Sequence, residues 1–287
     1  MRVGLLHSRI REDEKLLLET LREREHHVSP IDIRSLTFPL AGPPSAIEGL
    51  DIVINRCLSS SQSRYTTRFI DAYGIPVVNA PRTTDICADK AKGSLALLEA
   101  GVPTPTTEVA FTRETALEII ERFGYPCVLK PVTGSWGRLI AKIDSRDAAE
   151  AILEHKETLG GYEHKVFYLQ EFIDKPGRDI RVLSADGEPI AAMLRSSDHW
   201  LTNAARGATT EPFTVTDRVR MLVKQASDAV GGGLLGVDLM EDGDDFVVHE
   251  VNSTVEFKAL NRTTEDVDVP GRIVDWLETR APPGVAA

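Results

Sequence analysis

Short apolar runs separated by helical segments constrain the first 80 residues of this chain more than any other feature. Residues 3–6 are apolar, and residues 11–25 then carry leucines at helical spacing. Residues 51–55 and 75–79 are two further apolar runs. Strands that alternate with helices predict a parallel sheet with helices packed on it. We therefore expect an N-terminal α/β domain over residues 1–81.

The middle of the chain predicts a small α+β unit over residues 82–165. Residues 84–99 have the composition of a helix, and Gly101 lies just beyond its end. Thr112 is a candidate N-cap for a helix that runs to residue 122. Residues 109–111 and the apolar run CVLK at 127–130 predict strands.

The last part of the chain is rich in predicted strands. A helix expected over residues 216–230 interrupts them. Antiparallel strands with one covering helix are therefore predicted for residues 166–280, and residues 281–287 are expected to form a frayed tail. The predicted strands cover residues 166–171, 180–184, 189–194, 234–240 and 246–251.

Composition excludes several classes of protein. The 287 residues carry a formal charge of −11, so we expect no nucleic-acid partner, which would need a basic face. A basic partner protein or a salt-rich cytoplasm would suit this charge. We see neither a signal peptide nor an apolar run long enough to span a bilayer, so no membrane association and a cytoplasmic location are expected. The three cysteines are scattered, which indicates no disulfide framework and no zinc site.

Two acidic residues and an amide lie in a predicted hairpin near the C-terminus. Asp238 follows one apolar strand, and Glu250 and Asn252 end the next. Antiparallel pairing would bring the three side chains together, and hard oxygen ligands of this kind suit Mg²⁺. The alternative is a solvated acidic face. Against it, both carboxylates lie in apolar runs, where an unpaired charge is costly to bury.

Two lysines and a glycine-bearing loop could hold phosphate groups. Lys90 lies in the predicted helix and Lys130 at the end of a strand, and compact cations of this kind pair with phosphate. Each lysine could instead be an ordinary surface residue. After Lys130 comes a loop whose backbone N–H groups could close over phosphates. Its residues are Gly134, Ser135, Trp136, Gly137 and Arg138.

Two further segments are candidates for nucleotide and substrate contacts. The strand end formed by Gln170, Glu171, Phe172 and Ile173 could bind an adenine edge through its backbone, or could be an ordinary buried strand. The stretch that follows is unusually basic for an acidic chain, which predicts an anionic substrate. Its charged residues include Arg178, Asp179, Arg181, Arg195 and Arg206.

Taken in order, these motifs resemble the ATP-grasp superfamily, specifically its RimK-like branch, over nearly the whole chain. The segments VLKPVTGSWGRLIAK, FYLQEFIDKPGRDIRV, HWLTNAARG and HEVNSTVEFK are similar to those of the LysX and ArgX ligases. Those ligases attach an amino acid to the C-terminal glutamate of the small acidic carrier protein LysW. The resemblance implies an ATP-grasp fold, with an N-terminal α/β domain followed by two α+β subdomains that enclose ATP.

The resemblance also assigns roles to residues. It implies that Asp238, Glu250 and Asn252 hold Mg²⁺, and that Arg195 and Arg206 act in catalysis. ATP would contact the lysines, the glycine-bearing loop, the strand end at Gln170 and Asp179. The amino acid would contact Arg195, Asn203, Arg206, Glu256, Phe257, Lys258, Ala259 and Leu260. The relatives also suggest a homo-oligomer.

The identity of the amino acid stays open between glutamate and 2-aminoadipate. In the resemblance, the residues after Phe257-Lys258 differ between the two kinds of ligase, and Ala259-Leu260 matches neither. A small residue before a bulky apolar one is closer to the pattern of the ArgX ligases, which favours glutamate. The segment HWLTNAARG is closer to the LysX ligases. A RimK-type glutamate ligase with another acceptor and a non-catalytic nucleotide-binding protein are the remaining alternatives.

Overall fold

The N-terminal domain of the computed structural model is a parallel sheet with helices on both faces. The model describes residues 1–134, 137–161, 165–202 and 207–281. The domain contains β1 (Arg2–His7), α1 (Glu12–Glu23), β2 (His27–Asp32), a 3₁₀ turn (Ile33–Ser35), β3 (Ile52–Asn55), α2 (Ser60–Ala72) and β4 (Val77–Val78), with strand order β2-β1-β3-β4. Because side chains alternate along β1, Leu5 packs towards α1 and Leu6 towards α2.

Strand β2 is absent from the sequence-based prediction, and its position explains why. It is an edge strand, paired only with β1 in this sheet, and it contains Pro30. A proline weakens any strand prediction because it lacks the backbone N–H, yet it is tolerated at a sheet edge.

The helix predicted over residues 84–99 is two helices, α3 (Pro81–Cys87) and α4 (Lys90–Glu99). Asp89 separates them. Its backbone is extended, and its carboxylate accepts hydrogen bonds from the N–H groups of Ala91 and Lys92. Asp89 is therefore the N-cap of α4, and it places Lys90 in the first turn of the helix.

The central subdomain is an antiparallel sheet with two helices on one face. It contains β5 (Thr107–Ala110), α5 (Arg113–Phe123), β6 (Cys127–Lys130), β7 (Ala141–Ile143), α6 (Arg146–Leu159) and β8 (Phe167–Glu171), with strand order β5-β8-β6-β7. Thr112 caps α5 as predicted. β8 differs from the prediction, which grouped residues 166–171 with the C-terminal strands. Backbone pairing with β5 and β6 joins β8 to the central sheet instead.

The C-terminal subdomain is a second antiparallel sheet, with strand order β11-β10-β9-β12-β13. One face is covered by α7, as predicted, and the other packs against α9 and the N-terminal domain. The elements are β9 (Arg178–Ala185), β10 (Glu188–Ser196), β11 (Thr209–Pro212), α7 (Asp217–Val230), β12 (Leu234–Asp242), β13 (Asp245–Asn252), α8 (Lys258–Thr263) and α9 (Val269–Arg280).

A buried asparagine joins the N-terminal domain to the C-terminal sheet. Asn79 Nδ2 donates to the backbone oxygens of Leu234 and Ser253, and its Oδ1 accepts from Leu234 N at 2.7 Å. These bonds fix the start of β12 and the loop after β13 relative to the first sheet. Within the described ranges, no helix is long and apolar enough to cross a membrane.

Candidate active site

All three parts of the chain line one cavity of about 640 Å³. The N-terminal domain contributes Arg11, and the central subdomain contributes Lys130 from the end of β6. The C-terminal sheet contributes Asp238 and Glu250, which lie on neighbouring strands. The cavity therefore brings together side chains that are far apart in sequence, including most of the predicted site residues.

A bulge in β13 determines which side chains face this cavity. Asp238 lies opposite Glu250, whereas Leu239 lies opposite Val248, so His249 is an extra residue in the ladder. Neighbouring residues of a regular strand point to opposite faces. With the bulge, both His249 and Glu250 line the cavity. The predicted clustering of Asp238, Glu250 and Asn252 on one hairpin is present.

Lys130 is buried at the base of the cavity, with only 4% of its surface exposed. Its ammonium donates to Gln170 Oε1 and lies 2.6 Å from His249 Nε2. Burial lowers the pKa of Lys130 to about 7. Burial and the nearby Lys130 charge hold the pKa of His249 well below its usual value, so the imidazole is neutral and its Nε2 can accept. No carboxylate is paired directly with Lys130 among the described residues, which leaves its charge available to an anion.

Lys90 connects the glycine-bearing loop to the acidic hairpin. Its Nζ donates to the backbone oxygen of Gly134 at 2.9 Å and lies 3.1 Å from Glu250 Oε1. Gly134 and Gly137 adopt positive φ angles of 128° and 64°, which side chains disfavour. Gly134, Gly137 and Arg138 line the cavity, and the phosphate-covering role of their loop stays a prediction. Ser135 and Trp136 lie outside the described residues.

Asp238 is held by two arginines. Arg181 donates to both carboxylate oxygens, each at 2.6 Å, and Arg195 Nη2 lies 3.2 Å from Oδ1. Burial alone would raise the pKa of Asp238, but the charges of Arg181 and Arg195 hold it well below its usual range. Asp238 therefore stays ionised inside the protein, as a metal ligand must be.

The basic stretch after residue 177 is largely neutralised by internal partners. Arg195 Nε donates to Asp179 Oδ1 at 2.6 Å. Burial alone would lower the pKa of Arg195, but the charges of Asp238 and Asp179 outweigh burial and raise this pKa. Arg178 forms a two-bond pair with Glu241. These two arginines are therefore paired inside the protein, and the binding of an anionic substrate by this stretch stays a prediction. The predicted Asn203 and Arg206 lie outside the described residues.

The predicted adenine-binding segment lines an apolar part of the cavity. Gln170, Glu171, Phe172 and Ile173 all contribute to its wall, together with the buried side chain of Met240. Gln170 Nε2 donates to Thr107 Oγ1, and the Glu171 carboxylate accepts from Thr106 N at 2.6 Å. These bonds fix the strand end, so a flat aromatic ring could bind between fixed apolar side chains.

The predicted amino-acid contacts divide into two groups. Glu256, Lys258 and Ala259 line the cavity. Phe257 and Leu260 do not: both are fully buried in the hydrophobic core. Phe257 and Leu260 are three residues apart at the start of α8, so their side chains lie on the same, inward-facing side of the helix. The expectation that they contact substrate is therefore wrong.

Several charged or titratable residues of the cavity were missing from the predicted set. Among them are Arg11, Lys175, Arg181 and His249. Arg181 had been noted only as part of the basic stretch. The sequence carried no signal for His249, because its exposure to the cavity depends on the bulge. It carried none for Arg11 either, because Arg11 belongs to another domain.

Oxygen donors of the kind that a hard divalent cation prefers lie together on this hairpin, and their role as metal ligands stays a prediction. Glu250 and Asn252 lie beside Asp238, whose two oxygens accept from Arg181, and Glu250 pairs with Lys90. In the described part of the chain, no three His, Cys, Asp or Glu side chains gather in a metal-binding arrangement. A Mg²⁺ ion here would therefore complete its coordination with the Asn252 amide, water and phosphate oxygens, as Mg²⁺ commonly does.

Comparison with known proteins gives the family. Residues 3–86 match the LysX preATP-grasp domain, and residues 87–277 match the RimK-like ATP-grasp domain. The chain is 35% identical to the alpha-aminoadipate–LysW ligase LysX of Saccharolobus solfataricus over 249 residues. The match covers 86% of this chain and 90% of the relative. The chain is also 29% identical to the glutamate–LysW ligase ArgX of Sulfolobus acidocaldarius, over 97% of this chain and 98% of the other.

A solved structure agrees with the fold. The crystal structure of a RimK domain ATP-grasp protein from Sphaerobacter thermophilus superposes with a TM-score of 0.82 and 30% identity, covering 96% of this chain and 99% of that one. The order of the three sheets, the shared cavity and the two matched domains lead to the same assignment. This chain belongs to the RimK-like ATP-grasp family of ligases, in the group similar to LysX and ArgX.

Proposed function

We propose that this protein uses ATP to join an amino acid to the C-terminal glutamate of a LysW-type carrier protein. The observation that carries the proposal is the meeting of Lys90, Lys130 and the Asp238–Glu250 pair in one cavity, in a chain similar to LysW ligases over nearly its whole length. The cations suit the phosphates of ATP, and the carboxylates suit Mg²⁺. The amino acid is glutamate or 2-aminoadipate.

Different residues of the cavity would contact different parts of ATP. The apolar wall at Phe172 and Met240 suits adenine, while Lys90 and Lys130 suit the phosphates. Gly134 and Gly137 allow their loop to approach the phosphates closely. Asp238, Glu250 and Asn252 would hold Mg²⁺, which, when bound, neutralises phosphate charge.

The chemistry follows from the poor reactivity of a free carboxylate towards amines. The γ-carboxylate of the carrier's terminal glutamate attacks the γ-phosphorus of ATP, the bond to ADP breaks, and an acylphosphate forms. The α-amine of the incoming amino acid then attacks the acyl carbon. Phosphate leaves with one carboxylate oxygen, and the amine passes a proton to it. The buried cations stabilise the charge that is transferred, and the enclosed cavity keeps water from the acylphosphate.

The choice of amino acid depends on few contacts. Leu260 is in the core, so Ala259 is the residue of the Ala259-Leu260 pair that reaches the cavity. Glutamate and 2-aminoadipate differ by one methylene, which changes binding by only roughly 1–3 kcal/mol in a pocket. We therefore propose that both acids are accepted, with a preference of less than about 200-fold.

A RimK-type glutamate ligase with a different acceptor is the second candidate. The RimK-like domain that matches residues 87–277 supports it. Such a ligase would use the same ATP chemistry as a LysW ligase and would differ from it only in the acceptor.

The direct test is an assay with purified carrier protein. We expect ADP release that requires both the carrier and an acid, and a carrier mass raised by one residue of glutamate or 2-aminoadipate. Running the two acids in competition gives the preference. ADP release with another acceptor and none with the carrier would favour the RimK-type alternative, and no ADP release with any acceptor would contradict both.

Replacing Glu250 by Gln tests the phosphate-handling centre. The change removes a charge that faces the proposed cation and Lys90, so we expect ADP release to fall at least about 100-fold. Glu241→Gln on the same hairpin is the matched control, because Glu241 pairs with Arg178 and does not line the cavity. A Glu250→Gln protein that folds and keeps wild-type turnover would mean that the acidic pair is structural.

The lowered pKa of Lys130 predicts proton uptake on nucleotide binding. With a pKa of about 7, this side chain is mostly neutral above pH 8. ATP phosphates favour the ammonium, so binding raises its pKa, takes up a proton and weakens as pH rises from 7.5 to 9. Calorimetry in buffers of different ionisation enthalpy counts the protons.

We expect this uptake to disappear in Lys130→Met. Lys156→Met is the control: burial also lowers the pKa of Lys156, but this residue does not line the cavity. Equal proton uptake in wild type and Lys130→Met would assign the linkage to another group.

A further inference from the structure

Arg11 reaches the cavity from the N-terminal domain and lies between two glutamates. Its guanidinium contacts Glu14, one turn along α1, and Glu256, which follows the acidic hairpin. Arg11 and Glu256 both line the cavity. Glu14 is fully buried.

Glu14 fixes the orientation of Arg11. Arg11 Nε and Nη2 donate to the two oxygens of Glu14 at 3.0 and 2.8 Å, which leaves Nη1 directed at Glu256. Glu14 also accepts from Arg56 Nε at 3.0 Å. Burial alone would raise the pKa of Glu14, but Arg11 and Arg56 outweigh it and the pKa is lowered. Arg11 therefore has one side held by the buried Glu14 and the other side directed at the partly exposed Glu256.

Three carboxylates lie around Arg11, and they differ in exposure. They are those of Asp13, Glu14 and Glu256, and Glu14 also pairs with Arg56. Asp13 and Glu14 are fully buried, and Asp13 accepts from the N–H groups of Phe257 and Lys258. Glu256 is 32% exposed. Glu256 is thus the one carboxylate of the three that is partly exposed, and its departure would leave Arg11 Nη1 facing the cavity without this partner.

Several other cations of the cavity have carboxylate partners of their own. Lys90 pairs with Glu250, Arg181 and Arg195 with Asp238, Lys175 with Asp179 and Arg262 with Glu12. Lys130 lies at the proposed phosphate end. The proposed substrates bring carboxylates that do not react: two on the free amino acid and one, the α-carboxylate, on the terminal residue of the carrier. Each needs a cationic partner once it leaves water.

We infer that Arg11 binds a non-reacting carboxylate of a substrate, and that Glu256 occupies this position until the substrate replaces it. The inference rests on the proposed function and adds a binding residue from the N-terminal domain. The planar fork of Arg11, already fixed by Glu14, suits two-bond recognition of a carboxylate. The carboxylate comes either from the free amino acid or from the carrier's terminal glutamate.

Calorimetric binding tests the inference without relying on turnover. The probes are free glutamate, free 2-aminoadipate, an acidic peptide ending in glutamate, and the same peptide with a C-terminal amide. Arg11→Gln should weaken binding of one class, the free acids or the free-carboxylate peptide, about 10- to 100-fold. If the peptide is affected, the amide form should bind weakly to wild type and lose little in Arg11→Gln.

Glu256→Gln provides an independent arm, since Arg11→Gln could disturb the buried Glu14. Removing the competing carboxylate should tighten binding of the same probe about two- to fivefold. Arg24→Gln is the matched control. Arg24 is the C-cap of α1 and also pairs with a carboxylate of the C-terminal subdomain, that of Asp275, but it does not line the cavity. Its affinities should equal those of wild type.

Several results would overturn the inference. They are wild-type affinities in Arg11→Gln, weaker or unchanged binding in Glu256→Gln, and failure of the wild-type protein to bind any probe. Failure of the proposed function is scored separately, by the absence of ADP release in wild type with carrier and acid present.

Discussion

The pairing of β12 with β13, bulged at His249, is the constraint on which the rest of the site depends. It sets Asp238 opposite Glu250 and turns His249 into the same cavity. His249 then contacts Lys130 of the central subdomain, and Glu250 contacts Lys90 at the start of α4. One irregularity in one strand thus connects the acidic hairpin to both lysines. Without the bulge, His249 or Glu250 would face away.

Charge pairing keeps this centre ionised although it is buried. Arg181 and Arg195 hold Asp238, and Asp179 in turn holds Arg195. Arg181 and Arg195, which the sequence analysis placed in a stretch expected to bind an anionic substrate, are therefore paired with carboxylates inside the protein. Among the described residues, Lys130 has no directly paired carboxylate, and Arg11 contacts the partly exposed Glu256. These two cations suit a reaction that brings phosphates and substrate carboxylates into one cavity.

Local patterns in the sequence predicted local structure well. The strand Cys127–Lys130, the Thr112 cap and the hairpin that carries Asp238 and Glu250 all follow from short-range signals and are present. Features that depend on distant partners were missed or misassigned. The pairing of β8 with the central sheet, the burial of Phe257 and Leu260 and the place of Arg11 in the cavity are set by tertiary packing. Motif order predicted most of the segments that line the cavity, but only the geometry showed which of their side chains face it.

The central claim is that the carboxylate of the carrier is activated by phosphorylation. The most direct measurement follows oxygen, with the terminal γ-carboxylate of the carrier labelled with ¹⁸O and the released inorganic phosphate analysed by mass spectrometry. The account predicts one ¹⁸O atom in phosphate for each amide formed, since phosphate leaves with a carboxylate oxygen. Amide formation with unlabelled phosphate would contradict it.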